Sequence, residues 1–443
     1  MNLRPRLSTL FAAGVALTGV LLLVAAMLLG QPDGAGGRTV VTVRLWDEQV
    51  AAAYRESFAE FERAHPRIEV RVNLVAYSTY FDSLRTDVAG GGADDIFWIS
   101  NAYFAEYADS GRLMDIDRLM AARAWEPSVV EQFTRDGTLW GVPQLTDAGI
   151  GLYYNADLLS AAGVDPGELN TLRWSTDPAA DTLRPLLARL TLDREGRTAG
   201  AAGFDAQRIR QWGYNAANDL QGIYLNYIGS AGGVFAVGDR FAFDNPQAAQ
   251  AFTYLVGLID TAHVAPPASA TNDNGDFSRN QFLRGRMALF QSGTYNLAAI
   301  ADAAPFRWGV AMLPEGPAGR VSVTNGVAAA GNSATAHPDA VREVLAWMGS
   351  ARGNAYLGAN GAAVPAVLDA QRVYHQYWRS RGVDVSPFFD VLDGPRIEAP
   401  GGVGFAAGFD ALKPYFDEMF LGRREVAPTL AQAQQAANAA AQR

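Results

Sequence analysis

The chain has no cysteine, only four histidines, and 19% charged residues among 443. Without cysteine there is no disulfide, no thiolate metal site and no cysteine nucleophile. The thioether-linked lipid of a bacterial lipoprotein is excluded too, because it needs a cysteine just after the apolar leader. None of His65, His263, His337 or His375 lies near a GxSxG elbow, an HExxH pair or a set of metal-ligand spacings. No cofactor or metal is expected. There is no block of basic residues, and the net charge is −10, so nucleic-acid binding is not expected, since phosphate contacts need clustered cations.

The chain does carry a long uncharged run. Arg4 and Arg6 precede Leu7–Gly30, which contains no charged residue. As a helix at about 1.5 Å per residue the run is about 36 Å long, enough to cross a hydrocarbon core of about 30 Å. The arginines place its start in the cytoplasm and everything beyond the tether Gln31–Arg38 outside. Two readings stand. One is an uncleaved membrane anchor. The other is a cleaved signal, which leaves a secreted or periplasmic protein; the apolar core is longer than is usual for a signal and lacks a good cleavage site.

The remainder is too long for one core and natural for two domains. Thr39–Trp46 and Ile68–Val75 alternate as strands, Val50–Ala64 and Tyr80–Ala89 have helical spacing, and Asp95–Ile99 reads as a short buried parallel strand. This order predicts an α/β, doubly wound sheet, in which ligands bind beyond the carboxyl ends of the strands. Those ends carry Asp47 and Glu48, Tyr77 and Ser78, and Asn101. Further along, Leu139–Asn155 reads as two strand pieces broken at Pro143 and at Thr146–Gly149. Asn245-Pro246 opens a helix, and Met287–Gln291 and Trp308–Met312 are strands. The Ala/Gln-rich end from about Ala427 reads as a helix prone to fray.

The segments FERAHP (Phe61–Pro66), ADDIFWISNAYFAEYADSGRLMDI (Ala93–Ile116), GVPQLTDAGIGLYYNADLL (Gly141–Leu159), FLRGRMALFQSGTYN (Phe282–Asn296) and WGVAMLPEGP (Trp308–Pro317) occur in this order. The ordered set resembles the extracytoplasmic carbohydrate-binding proteins of ABC importers, in the maltodextrin-binding group. It is most similar to the amino-sugar-binding branch of actinobacterial importers. The resemblance implies a two-lobed periplasmic-binding-protein fold of type II, a ligand cleft between the lobes, several hinge crossings and a permease partner. It places the tether and leader at 1–37, one lobe at 38–146 and 313–349, and the other at 147–312 and 350–443. The crossings would be Gly141–Leu152, Met312–Pro314 and Trp347–Asn354.

Sugar chemistry points to the same kind of site. A pyranose is apolar on its faces and polar at its rim, so it needs an aromatic platform and bidentate acceptors in a preformed cleft. Trp212 and Tyr295 are the expected platforms. Asp47, Glu48, Tyr77, Ser78, Asn101, Asp147, Asn215, Thr294 and Asn325 are the expected polar contacts. An acidic cleft would favour an amino sugar. The alternatives are a membrane-anchored extracellular glycosidase, for which Asp47 and Asp147 form a candidate pair, and a cell-envelope carbohydrate-binding module.

Overall fold

In the computed structural model, residues 37–116 and 124–442 are described. The apolar leader lies outside the described residues, among which no helix is long and apolar enough to cross a membrane. The chain begins with strand Thr39–Leu45 (β1) and helix Glu48–Ala64 (α1), then strand Ile68–Leu74 (β2) and helix Tyr77–Gly90 (α2), then strand Ile96–Ser100 (β3) and helix Asn101–Asp109 (α3). The side chain of Asp47 starts α1 by accepting from the Val50 N–H at 2.9 Å. Tyr54, Phe58 and Phe61 then form one buried face at helical spacing. Gly91, at φ 75°, ends α2 in the left-handed region that glycine adopts without cost.

Later come strands Val142–Thr146 (β4) and Gly151–Asn155 (β5), helix Pro246–Asp260 (α4), and strands Leu289–Ser292 (β6), Trp308–Ala311 (β7), Ser322–Val323 (β8) and Gly326–Gly331 (β9). Helices Pro338–Met348 (α5) and Ala351–Ala359 (α6), strands Val364–Pro365 (β10) and Arg396–Ile397 (β11), and helices Phe405–Phe420 (α7) and Val426–Ala441 (α8) complete the set used below. The Asn245 side chain caps α4 through the Ala248 N–H at 2.8 Å, as Asn245-Pro246 predicts.

The first lobe is a six-stranded sheet in the order β10-β4-β9-β3-β1-β2. β1 is parallel to β2 and β3, whereas β9 runs antiparallel to both β3 and β4. The doubly wound expectation therefore holds for the local half only; strands returning from the other lobe make the sheet mixed. Pro143 does not break β4. It pairs with Ala328 where the β4–β9 register shifts, and a bulge tolerates the missing N–H. β9 is Gly-Val-Ala-Ala-Ala-Gly and lacks the bulky residues that announce a strand. It is small because Val129 and Met114 press against its two end glycines.

The second lobe holds an antiparallel sheet in the order β6-β5-β7, with Leu152 of β5 opposite Gln291 and Ala311. Its core takes in Leu313, Val321 and Val323 and continues from Val391 to Ala437. The first core instead takes in Val327 through Leu357 and ends at Ala370. This shifts the expected boundaries. Residues 313–323 pack with the second lobe, and α6 packs with the first. The second crossing is at Val323–Val327 rather than Met312–Pro314. Asn354 is no crossing residue: it is buried in the first lobe, bonded to Gln144 O and Val367 N at 2.9 and 3.1 Å. A third, smaller core joins Ala148 and Tyr153 to Val364, Trp378 and Phe388, and so bridges the segments that cross.

α8 does not fray. Leu430, Ala433 and Ala437 are buried, and the Asn438 side chain bonds both the N–H and C=O of Phe241, at 3.0 and 2.9 Å. Small residues allow the close α7–α8 packing that the bare sequence presents as weakness.

Candidate functional site

Asp147 stands where the chain passes from β4 to β5, and three separate segments hold it. Its N–H donates to Asn325 O at 2.8 Å, its C=O accepts from Thr294 Oγ1 at 2.9 Å, and its Oδ2 accepts from Gln221 Nε2 at 2.8 Å. Ala148, next in line, has φ 51°, a conformation disfavoured for any residue with a Cβ. Gly149 then bonds Phe388 O at 2.7 Å, and a Cβ there would lie 2.9 Å from that same oxygen. Burial is the main cause that pushes the Asp147 carboxyl up to about 6; the charge of Asp47 adds to it, and the Gln221 hydrogen bond opposes it.

Asp219 begins the short helical turn Leu220–Tyr224, accepting from the Gly222 N–H at 2.8 Å. Its side chain stays accessible to solvent, yet the protein enclosing it raises its carboxyl, against the Gly222 and Gln221 N–H groups that lower it. The Tyr295 ring lies across Gly293, where any side chain would displace it, and remains 43% exposed. Burial in the cleft walls raises its phenol, and the charges of Asp219 and Asp147 add to this.

The first lobe supplies a wall of rings. Trp46 meets Tyr77 at 5.8 Å, Tyr80 at 4.8 Å, Phe81 at 5.5 Å and Trp98 at 4.9 Å, mostly edge to face, and Phe81 stacks on Tyr103 at 3.9 Å. Buried Tyr80 anchors the wall by donating to Trp98 O at 2.9 Å. Tyr77 is 64% exposed, although a ring of that size is normally covered. The enclosing walls push its phenol up to about 12, with Tyr103, Asp147 and Asp219 adding to the shift. Both tyrosines therefore keep an exposed face with protein gathered around them. Tyr77 and Asp47 on one lobe lie within electrostatic reach of Asp147 on the other, and Tyr77 also of Asp219. No arginine or lysine figures among the causes that shift Asp47, Asp147 or Asp219 among the described residues.

The structure thus brings together Asp47, Tyr77, Asp147, Thr294, Tyr295 and Asn325. Asp47 also caps α1, and Glu48 is exposed in the first turn of that helix. The side chain of Ser78 lies outside the described residues. Two expected contacts, Asn215 and Asn101, are engaged elsewhere, and Trp212 is half-buried on the third core. Asn215 is buried and spends both ends of its amide on the Gln291 backbone, at 2.7 and 2.9 Å. The half-buried Trp212 ring packs against the core that holds Phe282 and Met287, and the Trp212 backbone N–H donates to Arg286 O at 2.8 Å. Asn101 donates to Ala399 O at 3.1 Å and lines a different cavity. Sequence reasoning weighs Asp219, beside Asn218, without committing to it, and does not select Gln221, Trp46, Phe81 or Tyr103. The last two lie on helices, where spacing alone reads as core. Among the described residues no group of three or more His, Cys, Asp or Glu could hold a metal ion.

Two α/β lobes, crossed by the chain more than once and facing each other across an aromatic and acidic cleft, define a type II periplasmic-binding-protein fold. The family profile of the bacterial extracellular solute-binding proteins matches residues 46–355, and the chain belongs to that family. The family comprises solute-binding proteins, not enzymes. The crystal structure of UspC from M. tuberculosis is 74% identical, with a TM-score of 0.76, and the match covers 90% of this chain and 100% of that one. An ABC substrate-binding protein from Listeria monocytogenes in complex with cycloalternan shares the fold at 20% identity, with a TM-score of 0.77 over 91% of this chain and 98% of that one. A probable ABC transporter-binding protein of Deinococcus radiodurans is 29% identical over 227 residues, which is 48% of each chain; this chain thus spans about half the length of that relative.

Proposed function

We propose that this protein is the sugar receptor of an ABC importer, capturing a carbohydrate between its lobes and delivering it to the permease. The observation that carries this reading is the pairing of exposed Tyr77, on a wall of rings, with Asp147, Asp219 and Tyr295 on the facing lobe. A sugar ring would lie flat on the tyrosines, while the carboxylates accept from its rim hydroxyls. Charge-assisted bonds of that kind are about twice as strong as neutral ones. Asp47, Asp147 and Asp219, whose carboxyls are shifted by no cation among the described residues, favour an amino sugar or a short oligosaccharide containing one. The leader Leu7–Gly30 would hold the receptor at the outer face of the membrane, beside its permease.

The glycosidase alternative needs a free acid and a free base. Asp47 has committed an oxygen to capping α1, which leaves it poorly suited to either role. Calorimetry with mono- and disaccharides, including amino sugars, tests the receptor reading. It requires saturable binding with one site per chain and no product after prolonged incubation. Absence of saturable binding by any sugar, or turnover, would overturn it.

A further inference from the structure

A largely buried ring of hydrogen bonds stands behind Asp147. Gln221 Nε2 donates to Asp147 Oδ2 at 2.8 Å, and the Gln221 C=O accepts from Asn226 Nδ2, also at 2.8 Å. Asn226 belongs to helix Leu225–Ser230 and is 3% exposed. Its Nδ2 reaches Ile223 O as well, at 3.3 Å, and its Oδ1 accepts from the Val323 N–H of β8 at 3.0 Å. The hydroxyl of Ser322, the other residue of β8, accepts from the Ile150 N–H at 2.9 Å. The backbone from Asp147 to Ile150 closes the ring. The second crossing is thus bonded to the first on one side and, through Asn226, to the Gln221 turn on the other.

The turn Leu220–Tyr224 needs such support. A helical segment this short does not hold itself in water. Side chains from outside it engage two successive carbonyls: Asn226 takes Gln221 O, and Gln291 Nε2 takes Gly222 O at 2.7 Å. Gln291 is part of the antiparallel sheet, on β6, whereas Asn226 reaches the strand at which the chain crosses between the lobes. A glutamine side chain is long and loses much rotamer freedom when fixed, so it serves Asp147 best from a backbone that already aims it.

We infer that Asn226 is a positioning residue for ligand capture, acting on Asp147 through Gln221. It aims the Gln221 amide so that Oδ2 of Asp147 is held and Oδ1 is presented to the ligand. The inference rests on the reading of Asp147 as a sugar contact. The Gln221 hydrogen bond lowers the Asp147 carboxyl, against burial and the charge of Asp47. Tyr77 from the first lobe, and Tyr295 and Asp219 from the second, are the other titratable groups in this field. The Asn226 amide is spent on Gln221, Ile223 and Val323, so its loss should reach the carboxyl by way of Gln221.

Carbon NMR of the aspartate-labelled protein follows the Asp147 carboxyl with no ligand present. Its midpoint should move to higher pH in Asn226→Ala and in Gln221→Leu, and the double variant should match Gln221→Leu alone, because both changes act on one path. Asn226→Leu fills the same volume without a polar arm and replaces the alanine variant if that one does not fold. Asn438→Ala, which breaks the bonds to Phe241 elsewhere in the second lobe, should lower the melting temperature and leave the midpoint in place. In calorimetry with glucosamine, Asn226→Ala should weaken binding at least fivefold. An unmoved midpoint in the Asn226 variants, or additive shifts in the double variant, would overturn the inference. A moved midpoint with glucosamine affinity intact would overturn the role in capture. A midpoint that moves as expected in a protein that does not bind glucosamine would support the positioning of Asp147 and count against the amino-sugar reading.

Discussion

The two lobes divide the work of the cleft unequally. The first presents Trp46, Tyr77, Phe81 and Tyr103, rings braced on one another, with Asp47 and Glu48 next to Trp46 in the chain. The second presents Asp147, Asp219, Gln221 and Tyr295, polar groups each fixed by backbone or amide bonds. A ring wall offers area and tolerates many sugars, because every pyranose has an apolar face. Fixed carboxylates read where the hydroxyls and amines lie, so selectivity should reside in the second lobe and general affinity in the first.

The sharpest way to break this contrast is to remove a polar reader. Asp147→Ala should cost about 1.5–3 kcal/mol of sugar affinity, the range for hydrogen bonds to a charged group, while the empty protein melts no lower. A residue that only looks like a reader should behave in the opposite way. Asn215→Ala should lower stability by about 1–3 kcal/mol in denaturant titrations, since it strands the Gln291 backbone, and should leave affinity nearly intact. Removing a platform should do less than removing a reader: Tyr77→Ala should cost about 1 kcal/mol of affinity and leave the melting temperature unchanged, because the ring is largely exposed. Gly293→Ala should weaken binding about as much as losing Tyr295, because it lifts that ring.

The smallest effect is that of pH. The folded Asp147 carboxyl titrates near 6, above the roughly 3.9 of an unfolded chain. Between these values the folded state binds more protons, so this group's contribution to stability declines as pH rises from about 4 to 6. Ligand donors favour the ionised form, so sugar affinity should rise over the interval from pH 5 to 7. Asp147→Asn should flatten both trends, and unchanged slopes in calorimetry and thermal melts would contradict the assignment.

The same contrast explains what the sequence shows. In the first lobe, strand and helix alternate locally, each with its own period and its own stop at His65-Pro66 or Gly91, so β1 to β3 are readable one after another. β9 is not, because an Ala-Gly strand is defined by its neighbours at distant positions rather than by its own residues. In the cleft, Asp147 and Tyr295 stand out because they follow strands in polar, Gly-bearing turns. Asp219 is harder to see, since its capping bond to Gly222 is the ordinary use of such an aspartate. Trp212 and Asn215 sit in an equally polar stretch, yet a long-range pairing with residues 286–291 holds it, which buries Asn215 and leaves Trp212 half-buried.

The central claim is that the second lobe's acids choose the ligand. Competitive binding of glucosamine, glucose and N-acetylglucosamine, and of their disaccharides, at matched ionic strength near pH 7 tests it most directly. The account predicts about tenfold preference for the aminated sugars, lost when Asp147→Asn and Asp219→Asn are combined, with Tyr77→Ala lowering all affinities in common. Neutral sugars binding as tightly as the amines, or a preference that survives the double substitution, would contradict it.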